Sequence, residues 1–114
     1  MRYLLLIASN EQEEGVLPEK EEAEILAAYG TFTRELQAAG VMRGADRLRP
    51  TTTATTVRVR NGETLTTDGP FAETKEQFGG YYEIDVKDLD EAIQWAAKVP
   101  SARYGSVEVR PIWD

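Results

Sequence analysis

Neither cysteine nor histidine occurs anywhere in the 114 residues. Without cysteine there is no disulfide, no thiol nucleophile and no thiolate metal site. Without histidine there is no Ser-His-Asp triad, no imidazole general base, no haem ligand and no two-His iron site. Any catalysis falls to carboxylates, Tyr, Lys, Arg, hydroxyls or backbone groups. The N-terminal apolar run, Tyr3 to Ala8, is too short for a signal-peptide core or a membrane span. The expectation is a cytoplasmic protein with no membrane partner. Basic residues are in deficit: 13 Lys and Arg against 20 Asp and Glu leave a formal charge of −7. An acidic surface repels phosphates, so no direct nucleic-acid partner is expected.

What is present is ordinary for one folded domain over residues 1–114, with 41% apolar and 29% charged residues. A chain of this length buries only a modest core, so self-association would help it. Tyr3 to Ala8 reads as a strand covered on both faces. Residues 9–17, rich in acids and amides, read as a loop, either a lid or a plain connection. Pro18 opens a helix with Glu19, Glu21 and Glu22 in its first turn, where the helix dipole favours acids. Ile25, Leu26, Tyr29, Phe32, Leu36 and Ala39 form its apolar stripe, and Gly40 ends it. Gly30 in mid-helix costs about 1 kcal/mol against Ala, which suggests close packing on the sheet.

Val41 to Leu48 is a weaker strand candidate. The Thr-rich stretch Thr51 to Thr56 favours extended backbone. Asn61-Gly62, between Val57–Arg60 and Glu63–Thr67, predicts a tight hairpin. Phe78 to Val86 reads as a strand. Asp88 with Glu91 makes a capping box for a second helix, with Leu89, Ala92, Ile93 and Ala96 as its apolar face. Trp95 falls off that stripe, covering an interface or the helix edge. Ser106 to Ile112 is the last strand, and Trp113 beyond it packs on a partner or stays exposed. Without the hairpin the order is βαββαβ, the ferredoxin-like plan of the α+β class.

Strand alternation describes the sheet face away from the helices. Tyr3, Leu5, Ile7 and Leu4, Leu6, Ala8 make the first strand apolar on both faces, so that face has an apolar centre. Tyr81, Glu83 and Asp85 on one strand and Glu108 and Arg110 on another flank that centre. A bare apolar patch of this kind suits a partner sheet, and the two sheets together would enclose a polar-lined cavity. The plainer alternative is an interface in which Glu108 and Arg110 pair across strands.

The segment Asp68-Gly69-Pro70-Phe71-Ala72-Glu73-Thr74-Lys75-Glu76-Gln77 has dense turn chemistry. Asp68 can accept hydrogen bonds from its own turn, and Phe71 can plug the loop into the core. Glu73 and Lys75 then sit on a stiff support, as an acid–base pair or as a surface ion pair. This segment resembles the signature of the DGPF family, a branch of the YCII-related superfamily. The opening MRYLLLIASN, Ala27–Gly30, Thr53–Arg58 and Ala102–Ile112 look like that family too. The resemblance implies a dimeric ferredoxin-like α+β barrel with the hairpin inserted. It also implies a link to extracytoplasmic-function sigma factors. The His-Asp pair of some YCII proteins has no counterpart here.

Three readings follow. The first is a small-molecule-binding or regulatory homodimer with a sigma factor as partner. Its ligand-binding candidates are Asp68, Phe71, Glu73, Lys75, Tyr81, Glu83, Glu108 and Arg110. The second is a small cofactor-independent enzyme using Asp68, Glu73, Lys75 or Glu108 for acid–base chemistry. The third is a structural role for the loop. No cofactor is expected, and a carboxylate-only Mg²⁺ or Ca²⁺ site has no supporting spacing.

Overall fold

The structure, a computed structural model, describes residues 1–114. Its elements are strand β1 (Arg2–Ser9), the short helix α1 (Glu11–Glu14), helix α2 (Glu19–Ala38) and strands β2 (Met42–Arg47), β3 (Thr55–Arg60), β4 (Glu63–Asp68) and β5 (Gln77–Asp85). Helix α3 (Leu89–Lys98) and strand β6 (Ser106–Pro111) complete the chain. Four strands form an antiparallel sheet in the order β2-β5-β1-β6, while β3 and β4 pair only with each other. That order fits the ferredoxin-like α+β plan, with the hairpin as a separate projection.

The core lies on one face of the sheet. Tyr3, Leu5 and Ile7 of β1 alternate inward and meet Tyr82 and Ile84 of β5. Phe32 and Leu36 of α2 and Ala92 and Ala96 of α3 close over them. The Phe32 ring stands edge-on to Tyr82, with centroids 5.1 Å apart. Ser9 continues the inward phase of β1 and is buried with it.

Helix ends follow their sequence signals. Pro18 occupies the N-cap of α2, one position earlier than expected, with extended ψ. At the other end Gly40, at φ +73°, makes a Schellman turn: its N–H reaches the Gln37 carbonyl, and Val41 N–H reaches that of Leu36. Asp88 caps α3 through the Glu91 N–H, but the Glu91 carboxylate reaches back to the Lys87 N–H, one residue before the cap. Asn61 and Gly62 both have positive φ, as the tight hairpin requires.

Several expectations are corrected. Residues 11–14 are helical because Asn10 caps them, accepting from the N–H groups of Gln12 and Glu13. Thr51–Thr53 forms a 3-10 turn, because the Pro50 carbonyl takes both the N–H and the hydroxyl of Thr53. Gly30 does not pack on the sheet; a Cβ there would meet only the Arg34 guanidinium, at 3.5 Å. On α3 the core-facing stripe is Ala92, the partly buried Trp95 and Ala96, continued by Val99 just past its end, so Leu89 and Ile93 are exposed. Trp95 packs edge-on against Phe32, with the Lys98 ammonium over its outer face.

Candidate functional site

Gly79 and Gly80 lie in the wall of a cleft on the helix face of the sheet. In the inward phase of β5, Gly80 comes before Tyr82 and Ile84, where its neighbour across β1 is Ile7. A Cβ there would lie 2.9 Å from the Asp46 carbonyl oxygen, so glycine lets β2 approach closely at that end. Gly79 is the unpaired residue of a bulge between Ile7 and Ala8 of the facing strand. A cleft of about 490 Å³ lies between this end of the sheet, α1 and the first half of α2. Ile7, Leu17, Ile25, Leu26 and Pro50 are among its apolar walls, and Tyr29, Tyr82 and Tyr104 add aromatic rings.

A chain of hydroxyls borders this cleft. The buried Ser101, on the 3-10 turn Pro100–Arg103, pairs with the Tyr29 hydroxyl and with that of Tyr104 at 3.2 Å. These three hydroxyls carry three protons and make two hydrogen bonds among themselves, so one proton remains for another acceptor. Burial holds the Tyr29 phenol above its ordinary pKa, opposed by the Ser101 hydrogen bond, so it stays a neutral donor. Nearby, Thr33 spends its proton on the Tyr29 carbonyl, so Tyr82 must donate in their 2.8 Å contact. The Tyr82 oxygen therefore keeps lone pairs for accepting.

The same cleft has an acidic border. Glu14 accepts from the buried Ser9 hydroxyl. Glu11 accepts from the Thr51 N–H at 3.0 Å and from its hydroxyl at 2.7 Å. Its own N–H donates to Gln77. Helix α1 is thus fastened to the root of the hairpin and to the end of the Asp68–Gln77 segment.

The residues singled out from sequence lie mainly elsewhere. Tyr81 borders the cleft; its hydroxyl donates to Asp46 at 2.7 Å, and that bond, with the Asp46 charge, raises its pKa. Phe71 and Lys75 border a second groove, beside Ala8 and Phe78. Phe71 is 79% exposed and does not plug the core, because the loop is anchored at its other end: Glu76 accepts from Ser106, and Gln77 donates to the Thr74 carbonyl. Asp68 ends β4 opposite Thr55 and does not hold its own turn; Gly69 N–H to Ala54 and Thr56 hydroxyl to Gly69 do so, each at 2.8 Å. Glu73 is exposed and makes no ion pair with Lys75.

Glu83 pairs with Arg2 at 3.6 Å on the far face of the sheet. Glu108 and Arg110 pair along their own strand, at 2.5 Å, rather than across strands. The four proposed acid–base residues therefore do not share the main cleft, and no three carboxylates gather as metal ligands would. Trp113 is exposed. Sequence reasoning overlooked Ser9, Glu14, Tyr29 and Ser101 as a group. One signal was available for Ser9: a polar residue in the inward phase of an apolar strand. Ser101 had none.

Comparison with known proteins gives two matches. The model of the YCII-related domain matches residues 1–114. An uncharacterized protein of Rhizobium meliloti (strain 1021) is 40% identical over 114 residues, which cover 98% of this chain and 92% of that protein.

Proposed function

The chain belongs to the YCII-related family, and from that premise we propose that it is a small-molecule-binding homodimer with a ligand in the helix-side cleft of each protomer. The observation that carries this reading is the Tyr29–Ser101–Tyr104 hydroxyl chain bordering a cleft of about 490 Å³. Apolar walls with a few convergent polar groups are the usual makings of a ligand site. The cleft argues for binding more directly than the loop does, since Asp68, Glu73 and Lys75 stand exposed outside it.

The dimer reading rests on shape. The chain measures 48 × 42 × 19 Å with a radius of gyration of 16.0 Å, against about 13 Å for a compact domain of this length. Leu4 and Leu6 are only half-buried on the far face of the sheet, and Phe78 is exposed beside them. A second sheet laid on that face would complete an α+β barrel. In this reading any sigma-factor link, which the DGPF resemblance implies, runs through protein or ligand contact, since a charge of −7 opposes nucleic acid.

The test is a thermal-shift screen against metabolites, run with wild type, Tyr29→Phe and the cleft-filling Ile25→Trp. A ligand whose shift is lost in folded Ile25→Trp and reduced in Tyr29→Phe supports the reading. Ligands that stabilise all three proteins equally place binding elsewhere and overturn it.

A further inference from the structure

The cleft is charged unevenly. Glu11, Glu14 and Glu22 are among its lining residues, against the single cation Arg47, while the Asp46 carboxylate is held by Tyr81 on the far face. Low-dielectric walls focus the field of such charges into a cavity. The Glu14 carboxylate is already steered by the buried Ser9 hydroxyl on one oxygen, which leaves the other without a protein partner. Tyrosine rings line the same cleft, and aromatic faces attract cations. Tyr82, having spent its proton on Thr33, offers only lone pairs. Cavity, acid and aromatic wall agree on the sign of charge that would be welcome.

We infer that the ligand of this cleft is an organic amine: an ammonium group directed at Glu14, carried on an apolar or aromatic body that fills the space between Ile7, Ile25 and Tyr29. This rests on the cleft being a ligand site and adds the chemical class. A carboxylate of the same shape would meet Glu14 and Glu22 with like charge. A neutral alcohol would satisfy the hydroxyl chain and forgo the ion pair.

Titration calorimetry with three probes of one shape and different charge decides it: tryptamine, tryptophol and indole-3-propionate, at low ionic strength. Tryptamine is expected to bind at least about tenfold more tightly than either of the others. Glu14→Gln retains an oxygen for Ser9 and should fold; it is expected to weaken tryptamine about tenfold and leave tryptophol unchanged. Added salt should weaken tryptamine alone. If tryptophol or indole-3-propionate binds as tightly, and Ile25→Trp abolishes that binding, the amine assignment falls and the cleft reading stands. No tryptamine binding up to about 10 mM overturns the amine assignment. Tryptamine binding that survives in folded Ile25→Trp overturns both.

Discussion

The Glu11 carboxylate grips Thr51 at two points, its backbone N–H at 3.0 Å and its hydroxyl at 2.7 Å, across a sequence separation of 40 residues. The contact ties a four-residue helix, too short to hold itself, to the turn that starts the hairpin. Glu11→Ala is expected to destabilise the fold by about 1–3 kcal/mol, the range for lost hydrogen bonds to a charged group. It should also speed amide exchange at residues 11–17 before any global change. Urea denaturation and hydrogen exchange measure the two effects. An unchanged exchange pattern would show that Asn10, Ser9 and Gln77 hold α1 without Thr51.

Alkaline pH should find Tyr29. Its phenol is raised above the ordinary value by burial, so the folded chain keeps this proton after the unfolded chain has begun to lose it. The stabilisation is therefore complete below about pH 10 and declines as pH rises toward the folded value. Tyr29→Phe should flatten the stability-against-pH curve above about pH 10. Asp46→Asn should instead advance the ionisation of Tyr81, whose raised pKa comes from the Asp46 hydrogen bond and charge. Phenolate absorbance follows both. An unaltered titration in Asp46→Asn would contradict the hydrogen bond.

Two glycines should respond to alanine with opposite signs. Gly30 lies inside α2, where a Cβ would make only an ordinary contact with the Arg34 side chain, so Gly30→Ala should stabilise by about 0.5–1 kcal/mol. At Gly105 a Cβ would fall 2.2 Å from the Ala8 carbonyl oxygen and 3.2 Å from that of Ser101. Both neighbours are backbone, so Gly105→Ala should cost about 1–3 kcal/mol or more, and loosen the Ser101 turn. Thermal melts of the two variants give the comparison.

Leu6 tests the barrel. It occupies the central strand between Tyr81 and Glu108 on the far face, where a partner sheet would cover it. Leu6→Glu is expected to shift light-scattering mass from twice 12.7 kDa to 12.7 kDa with the fold retained. A wild type already at the lower mass would dismiss the dimer.

The βαββαβ order and the inward phase of β5 were legible because alternation and helical spacing are local patterns, whereas β1, apolar on both faces, shows no phase of its own. The Asn61-Gly62 hairpin was legible because only a few residues accept two successive positive φ values. Helix α1 was not, since its single turn has no periodicity and depends on the Asn10 cap and the distant Thr51 and Gln77. The stripe of α3 was misjudged at Trp95 because Leu89 and Ile93 are as apolar as the residues it buries. The cleft escaped because residues 9, 14, 29 and 101 meet only through the fold. The Asp68–Lys75 segment attracted attention through its turn chemistry, which marks a loop well and a binding site poorly.

The 19 Å thickness has a calorimetric consequence. A slab with one helical layer on one sheet places few side chains out of water; 14 of 114 residues are buried. The heat-capacity increment and the denaturant slope both scale with the surface that unfolding exposes. For this chain alone both quantities should fall below those of a rounder domain of equal length, giving a broad melt. Stacking two slabs would restore the missing surface to the transition, so the steepness of melting, and its midpoint, would climb with protein concentration.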